Sequence, residues 1–546
     1  MNKKVAVLGI HKDPWHNTGA SIVFEQDGIT DMVYIAEERL DRKKDSRSFP
    51  ERAVAACMKH AGLASFDDLD LVVVDYICHP DDWRKDFINT PCRTDVFLKE
   101  VDPAKIHIIN HHLAHAAASF YTSPFDRSAI LVVDGRGSDK ETQSIFIGRG
   151  NEISLVEKST CIGIGLLYAS VTRLIGFDIL QEGKTMGLAP YGSPAVTGDN
   201  PERLLPVCGV YSGVDSDYSE LCVEDSYQLR VPIDVSTPKK KAQAAFEVQE
   251  ECEREMLRLA RYARETTGIK NLCIGGGVGL NSVANYKIVK ASPADDLFVN
   301  PACSDTGIAL GAALWGYHSV LGRPRAMGLQ SPFVGPVYSE QELQNAIRAH
   351  DDLFHIAGSA SFDHAADLLA KNFIVGCFQG RSEMGPRALG NRSILMSPLK
   401  AENKDILNAR VKFREAFRPF APACMLEYAQ EYFDIDRASP YMLLVPDVRP
   451  HMRDVIPAVT HVDGSARLQT LTAQLNPAFY RLVSLFMQRT GVPVLLNTSF
   501  NVNNEPIVET PEDALRCFRN TNIDALLIGE HLLLKPHARV ALNGIT

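Results

Sequence analysis

Apolar runs separated by polar loops set the frame of the first half of the chain. Val5–Ile10 reads as a buried strand, followed by a polar loop from Lys12 to Thr18. Ala20–Phe24, a Gln26-Asp27-Gly28 turn and Met32–Ala36 come next. The same order recurs as Ala129–Asp134, a loop Gly135–Thr142, Ser144–Ile147, a Gly148-Arg149-Gly150-Asn151 turn and Ile153–Val156. Each copy predicts a three-stranded meander, with turn residues where hairpins require them. Leu71–Tyr76 and Lys105–Ile109 supply further strands after the first copy. Two α/β lobes that each begin with a meander and face one another across a cleft describe an actin/sugar-kinase-like fold.

Periodicity lapses at Arg323-Pro324-Arg325 and again from Gly328 to Tyr338, where Pro332 and Pro336 mark a connection. A second α/β unit follows, with strands expected at Phe373–Phe378, Tyr441–Val445, Leu468–Leu471, Pro493–Leu496 and Ala525–Ile528. The expected domains are therefore 1–335 and 336–546.

Composition narrows the class. At 546 residues the chain is too long for one core, and 45% apolar with 23% charged residues is ordinary globular usage. Lys plus Arg is 57 against 67 for Asp plus Glu, a formal charge of −10, which argues against a general nucleic-acid binder. The 12 cysteines stand singly, with no C-x-x-C pair, and fit a reducing compartment. The first apolar run is too short for a signal peptide, and none approaches the ~20 residues needed to span a bilayer. A cytoplasmic protein with neither nucleic-acid nor membrane partner is expected.

Candidate chemistry falls in both halves. Asn110 should cap a helix on which His111 and His115, four apart, share one face and can hold one metal ion. Neutral imidazole suits iron, zinc, copper or nickel. Asp134, at the end of the strand opening the second lobe, and Asp305, in a loop before an Ala/Gly-rich helix, are the carboxylates that could complete the site. Gly275-Gly276-Gly277, with Asn281 behind them, follow a strand and leave backbone N–H groups free for a phosphate or adenosine. Glu182 and Lys184 offer a carboxylate for a ribose and an ammonium for a phosphate.

In the second half Arg381, Arg387, Arg392, Arg410, Lys412, Arg414 and Arg418 crowd one stretch of an acidic protein. Lys412, Arg414 and Arg418 alternate with Phe413, Phe417 and Phe420, which anchors the charges among rings. Guanidinium forks match phosphate oxygens. Arg467 and Ser499, each near a strand end, could close an oxyanion pocket. The segment from Gly192 to Val231, with Asp199, Glu202, Asp215, Asp217, Glu220, Glu224 and Asp225, could steer a cationic substrate.

Several long strings, in order over nearly the whole chain, resemble the NodU/CmcH family of O-carbamoyltransferases, among them its antibiotic-modifying, tobramycin type. They are Ala36-Glu37-Glu38-Arg39 with Arg42 and Lys43, His111-His112-Leu113-Ala114-His115, Glu182 to Gly192, Gly385 to Ser393, Phe417-Arg418-Pro419-Phe420-Ala421-Pro422, and Leu496 to Asn501. The resemblance implies an N-terminal domain like the tRNA threonylcarbamoyl transferases and a YrdC-like C-terminal domain. The second domain would convert carbamoyl phosphate and ATP to carbamoyl-adenylate, and the first would pass the carbamoyl group to a small-molecule hydroxyl. It also implies that Arg387, Lys412, Arg418, Arg467 and Ser499 bind carbamoyl phosphate. His111, His115, Asp134 and Asp305 would hold a divalent metal, iron(II) in the family. Glu182, Lys184, Gly275, Gly276, Gly277 and Asn281 would meet the adenylate. Relatives often carry His-Asp where this chain has His16-Asn17, so His16 becomes the expected catalytic base. A sugar- or acetate-kinase-like phosphotransferase is the alternative, and a homodimer stays open.

Overall fold

The computed structural model describes residues 4–12, 16–75, 101–199, 201–206, 209–223, 226–291, 296–325, 328–350 and 352–543. Tyr76, Glu224 and Asp225 lie outside the described residues. The chain divides into two compact units, one of Met1–Asp41 with Asp45–Leu329, the other of Arg42–Lys44 with Gln330–Thr546.

The first unit is the duplicated, actin/sugar-kinase-like lobe pair that the repeated meander implies. In one lobe β1 (Val5–His11), β2 (Gly19–Gln26) and β3 (Ile29–Ala36) run antiparallel, and β4 (Leu71–Asp75) and β5 (Ile106–Ile109) extend the sheet parallel to β1. Asp27 and Gly28 both take positive φ, 54° and 79°, as the tight primed turn between β2 and β3 requires. The other lobe repeats the scheme with β6 (Arg127–Val133), β7 (Gln143–Arg149) and β8 (Glu152–Ser159). Two small hairpins follow in the acidic segment, β9 (Val210–Ser212) with β10 (Asp215–Asp217) and β11 (Cys222–Val223) with β12 (Gln228–Leu229). The helix Pro238–Thr267 then leads to β13 (Asn271–Gly275) and β14 (Asp296–Val299), parallel to β6.

The helix Ile308–Trp315 holds this unit's active region together by backbone approach. A Cβ on Gly9 of β1 would lie 2.0 Å from the Ala309 carbonyl oxygen, and one on Gly311 would lie 2.0 Å from that of Ala114. The small-residue sequence of this helix lets it touch β1 and the helix His111–Tyr121 at backbone distance. That contact brings Asp305, just upstream, beside His111.

The second unit is built on an eight-stranded mixed sheet. Its strands are β15 (Phe354–Ala357), β16 (Val375–Phe378), β17 (Arg392–Met396), β18 (Ala421–Met425), β19 (Gln469–Leu471), β20 (Val494–Ser499), β21 (Ala525–Ile528) and β22 (His531–Leu534), in the order β15-β22-β21-β16-β17-β20-β18-β19. Four of the five expected strands appear, as β16, β19, β20 and β21. Tyr441–Val445 does not: Met442 has φ 60°, which breaks an extended run, and only an isolated bridge from Leu444 to Leu468 remains. Among the described residues no helix is long and apolar enough to cross a membrane.

Candidate active sites

The helix His111–Tyr121 starts where the sequence places it. The Asn110 side chain accepts the Leu113 N–H at 3.0 Å, an N-cap that fixes where the helix begins. His111 and His115 are both buried, with their Nε2 atoms 3.2 Å apart. Asp134 Oδ2 lies 2.8 Å from His115 Nε2 and 3.4 Å from His111 Nε2, and Asp305 Oδ1 lies 3.4 and 3.5 Å from the same two atoms. All four ligand atoms fall within 4.8 Å of one another.

This donor set fits a divalent metal ion. Bonds of about 2.1 Å put neighbouring ligands about 3.0–3.4 Å apart, close to the spacing observed. Two imidazole nitrogens facing each other cannot both carry hydrogen, so the pair needs a proton or a cation between them. The protonation preferences agree. Burial pulls the His111 and His115 pKa values down, yet Asp75 foremost, with Asp134 and Asp305, brings His111 above the usual histidine value, and Asp134 and Asp305 do the same for His115. Burial would raise Asp134 and Asp305, yet the histidine hydrogen bonds hold both below the usual carboxylate range. The cluster demands positive charge.

His112 stands apart from the quartet. Its Nδ1 lies 2.8 Å from Ser144 Oγ, and burial holds its pKa well below the usual value.

The other expected residues of this unit divide. His16 Nδ1 lies 3.5 Å from Asp305 Oδ2, so it borders the quartet. A Cβ on Gly276 would lie 2.2 Å from the Val133 carbonyl oxygen, and Gly277 N–H donates to Asp134 Oδ1 at 3.1 Å, so the glycine loop packs against the Asp134 end of the quartet. Burial raises the Glu182 carboxyl, and the charge of nearby His16 offsets part of that rise. Lys184 Nζ sits 5.4 Å from the Phe177 ring centroid. Asn281 exchanges two hydrogen bonds with Gln249, at 3.0 and 3.1 Å, and is committed to the helix Pro238–Thr267. In the acidic segment Asp199 pairs with Lys239, and Asp217 accepts from Ser219 N and Oγ at 2.9 and 3.0 Å. Of the seven acidic residues named for that segment, Asp199 is thus spent on an ion pair and Asp217 on a local turn.

In the second unit the structure sorts the crowded cations. Arg392 is fully buried, stacks 3.6 Å over the Phe378 ring and donates to the Gln379 carbonyl at 2.6 Å. Arg381 donates to the Gly335 and Val334 carbonyls, and Arg410 pairs with Asp524. These three hold the fold. Arg387, Lys412, Arg414, Arg418 and Arg467 form a separate cluster close enough to act on one another. Burial depresses Arg467, and Arg387, Arg414 and Arg418 depress it further. Burial and Arg418 bring Arg414 down to about 9. Burial alone accounts for the lowering at Arg418, which Glu415 partly offsets. Guanidinium does not give up its proton in practice, so these shifts express an unmet demand for negative charge. Arg467 Nε is buried with no hydrogen-bond partner among the described residues.

Lys412 sits behind this cluster. Its Nζ donates to Ser499 O at 2.7 Å, Ser499 Oγ at 3.2 Å, Asn501 O at 3.0 Å and Asn501 Oδ1 at 2.7 Å, while Ser499 Oγ donates to Asn501 Oδ1. Burial, Arg414 and Arg418 push its pKa down. An environment made only of acceptors nevertheless requires the ammonium form. The sequence reading counted Arg414 among the cations interleaved with rings but left it out of the anion-binding set, where its effect on Arg467 puts it. It also missed Asp75 and His11, discussed below.

Comparison with known proteins agrees with both halves. The family model described as Carbamoyltransferase N-terminus matches residues 77–314, and that described as Carbamoyltransferase C-terminus matches residues 366–535. The chain belongs to the carbamoyltransferase family and is an enzyme of that class. It is 37% identical over 547 residues to the nodulation protein NolNO of Sinorhizobium fredii, covering 95% of this chain and 79% of that protein. It is 34% identical over 412 residues to the 3'-hydroxymethylcephem-O-carbamoyltransferase of Streptomyces clavuligerus, covering 74% of this chain and 73% of that protein. Among solved structures, full-length HypF in its phosphate- and nucleotide-bound form aligns at 12% identity with a TM-score of 0.36, covering 59% of this chain and 56% of that one, too little to carry an argument. The phosphotransferase alternative gains no support from these matches.

Proposed function

We propose that the chain is an ATP-dependent O-carbamoyltransferase that draws its carbamoyl group from carbamoyl phosphate, through carbamoyl-adenylate, and delivers it to a hydroxyl of a small molecule such as a sugar or natural product. The observation that carries this reading is the cluster Arg387, Arg414, Arg418 and Arg467, in which, beyond burial, Arg387, Arg414 and Arg418 all depress Arg467 and Arg418 depresses Arg414. Water hydrolyses carbamoyl phosphate to carbamate and orthophosphate, the carbamate oxygen then bonds the α-phosphorus of ATP, and pyrophosphate leaves. The cations bind and orient the anionic groups and screen their mutual repulsion. Lys412 fixes Ser499 and Asn501, which shape the pocket wall.

The acceptor hydroxyl then attacks the carbamoyl carbon and AMP leaves. His16 takes the hydroxyl proton at its Nδ1 or Nε2, with Asp305 stabilising the imidazolium. The Gly276 and Gly277 N–H groups are spent on the Cys303 carbonyl and on Asp134, so the glycine loop holds Asp134 in place rather than meeting the adenylate phosphate, while Glu182 and Lys184 address the nucleoside side. His111, His115, Asp134 and Asp305 would hold a divalent metal, iron(II) in this proposal, and such an ion supplies Lewis-acid polarisation of a carbonyl.

Incubation with [14C]carbamoyl phosphate, ATP and a panel of neutral and amino-substituted sugars tests the reading. Label transfer that requires ATP and releases AMP, pyrophosphate and orthophosphate in equal amounts supports it. Transfer without ATP, or formation of ADP, removes it.

A further inference from the structure

Three adjacent strand ends place a carboxylate behind the histidine pair. His11 ends β1 and Asp75 ends β4, and the parallel register pairs these two residues directly. Asp75 is paired in turn with Ile109, the last residue of β5, and His111 follows two residues later. Asp75 is fully buried, and its Oδ2 lies 2.9 Å from His111 Nδ1 and 2.9 Å from His11 Nδ1. The three side chains form a row from the sheet edge to the quartet.

We propose that Asp75 is a positioning residue for metal binding: it accepts the Nδ1–H of His111, fixes the tautomer that leaves the His111 Nε2 lone pair facing His115, Asp134 and Asp305, and is itself held by His11. A carboxylate behind a ligating imidazole sets ring orientation and makes the other nitrogen a better donor. The two histidines of the quartet differ in this respect. Among the described residues His115 Nδ1 is buried with no hydrogen-bond partner, whereas His111 is oriented from behind by a charge. His111 is further fixed by its backbone N–H, which donates to Ser138 Oγ at 3.0 Å. The signal in the sequence was a carboxylate at the end of the predicted strand Leu71–Tyr76.

The inference rests on the reading of the quartet as a metal site, and one set of titrations separates the two. Co2+ alone is titrated into full-length wild-type protein, Asp75→Asn, His11→Leu and His115→Ala, by competition with a chromophoric chelator and by the visible d–d spectrum. Asp75→Asn keeps the shape and removes the charge, and it should weaken Co2+ binding by about 10- to 100-fold and alter the d–d bands. His11→Leu removes one of the two donors to Asp75 and should weaken binding several-fold. Wild-type affinity in Asp75→Asn, when His115→Ala has lost the metal, overturns the positioning role alone. Absence of Co2+ uptake by wild-type protein overturns the metal site and the positioning role together. If Asp75→Asn does not fold, His11→Leu decides, with unchanged affinity overturning the inference.

Discussion

Arg467→Met should move stability and anion binding in opposite directions, because the guanidinium sits among like charges that only an anion can reconcile. Arg387, Arg414 and Arg418 all depress Arg467, after burial itself. At separations on the order of 7 Å and an effective dielectric of about 20, each like-charge pair costs about 2 kcal/mol before screening. After screening and the loss of the side chain's own packing, removal of one member should stabilise the anion-free unit by about 1–3 kcal/mol. The same change deletes a charged donor from an anion site, a loss of about 2–4 kcal/mol in binding. A ligand at ~100 times its Kd stabilises wild-type protein by about 2.7 kcal/mol, and a hundredfold weaker Kd leaves about 0.4. The assay is thermal unfolding of wild-type and Arg467→Met protein with and without carbamoyl phosphate, inorganic phosphate serving as the stable analogue. Without anion the variant should melt a few degrees higher, at about 2–4 °C per kcal/mol. With anion the order should reverse or the gap close. A variant that melts lower without anion and keeps the full anion-dependent shift would refute the clustering argument.

His115→Ala should spare carbamoyl-phosphate-dependent pyrophosphate release and abolish transfer to an acceptor, as single-turnover measurement of the two steps would show; equal loss of both contradicts the division of labour. Lys412→Met leaves Ser499 and Asn501 without their shared donor and should lower thermal stability by about 2–4 kcal/mol as well as pyrophosphate release. A variant of wild-type stability would place Lys412 in the pocket rather than behind it. Glu37 is buried, and burial pushes its carboxyl from the usual 4.5 up to about 7, against the opposing N–H of Ala53. Its folded state therefore binds more protons, so this contribution is fully present at low pH and is lost as pH rises from about 4.5 to about 7. Glu37→Gln should raise stability relative to wild type increasingly over that range, by about 1–3 kcal/mol at pH 8, and a difference independent of pH would refute it.

The repeated meander was legible because each copy joins buried strands through turns that only a few residue types can make. The His111/His115 pair was legible from helical spacing, and Asp134 from its place at a strand end. Asp75 was hidden because its partner His11 is 64 positions away and meets it only through strand register. The second unit was harder. β17 opens with Arg392, whose buried charge is satisfied by carbonyls and a ring face, and Ser393 follows, so its hydrophobic pattern begins two residues late. Tyr441–Val445 has a strand's composition, but the left-handed backbone at Met442 is a tertiary constraint that composition does not report. The sorting of Arg381, Arg392 and Arg410 from the anion cluster depended on which carbonyls and acids surround each one, which only folding decides.

The central claim is that the second unit makes carbamoyl-adenylate in its cation cluster. Pyrophosphate release is therefore measured with protein, ATP and carbamoyl phosphate in the absence of any acceptor, for wild type and Arg418→Ala. The account predicts release that depends on carbamoyl phosphate in wild type and falls by about 30-fold or more in Arg418→Ala, the equivalent of about 2–4 kcal/mol. Release that ignores carbamoyl phosphate, or that persists at the wild-type rate in Arg418→Ala, contradicts it.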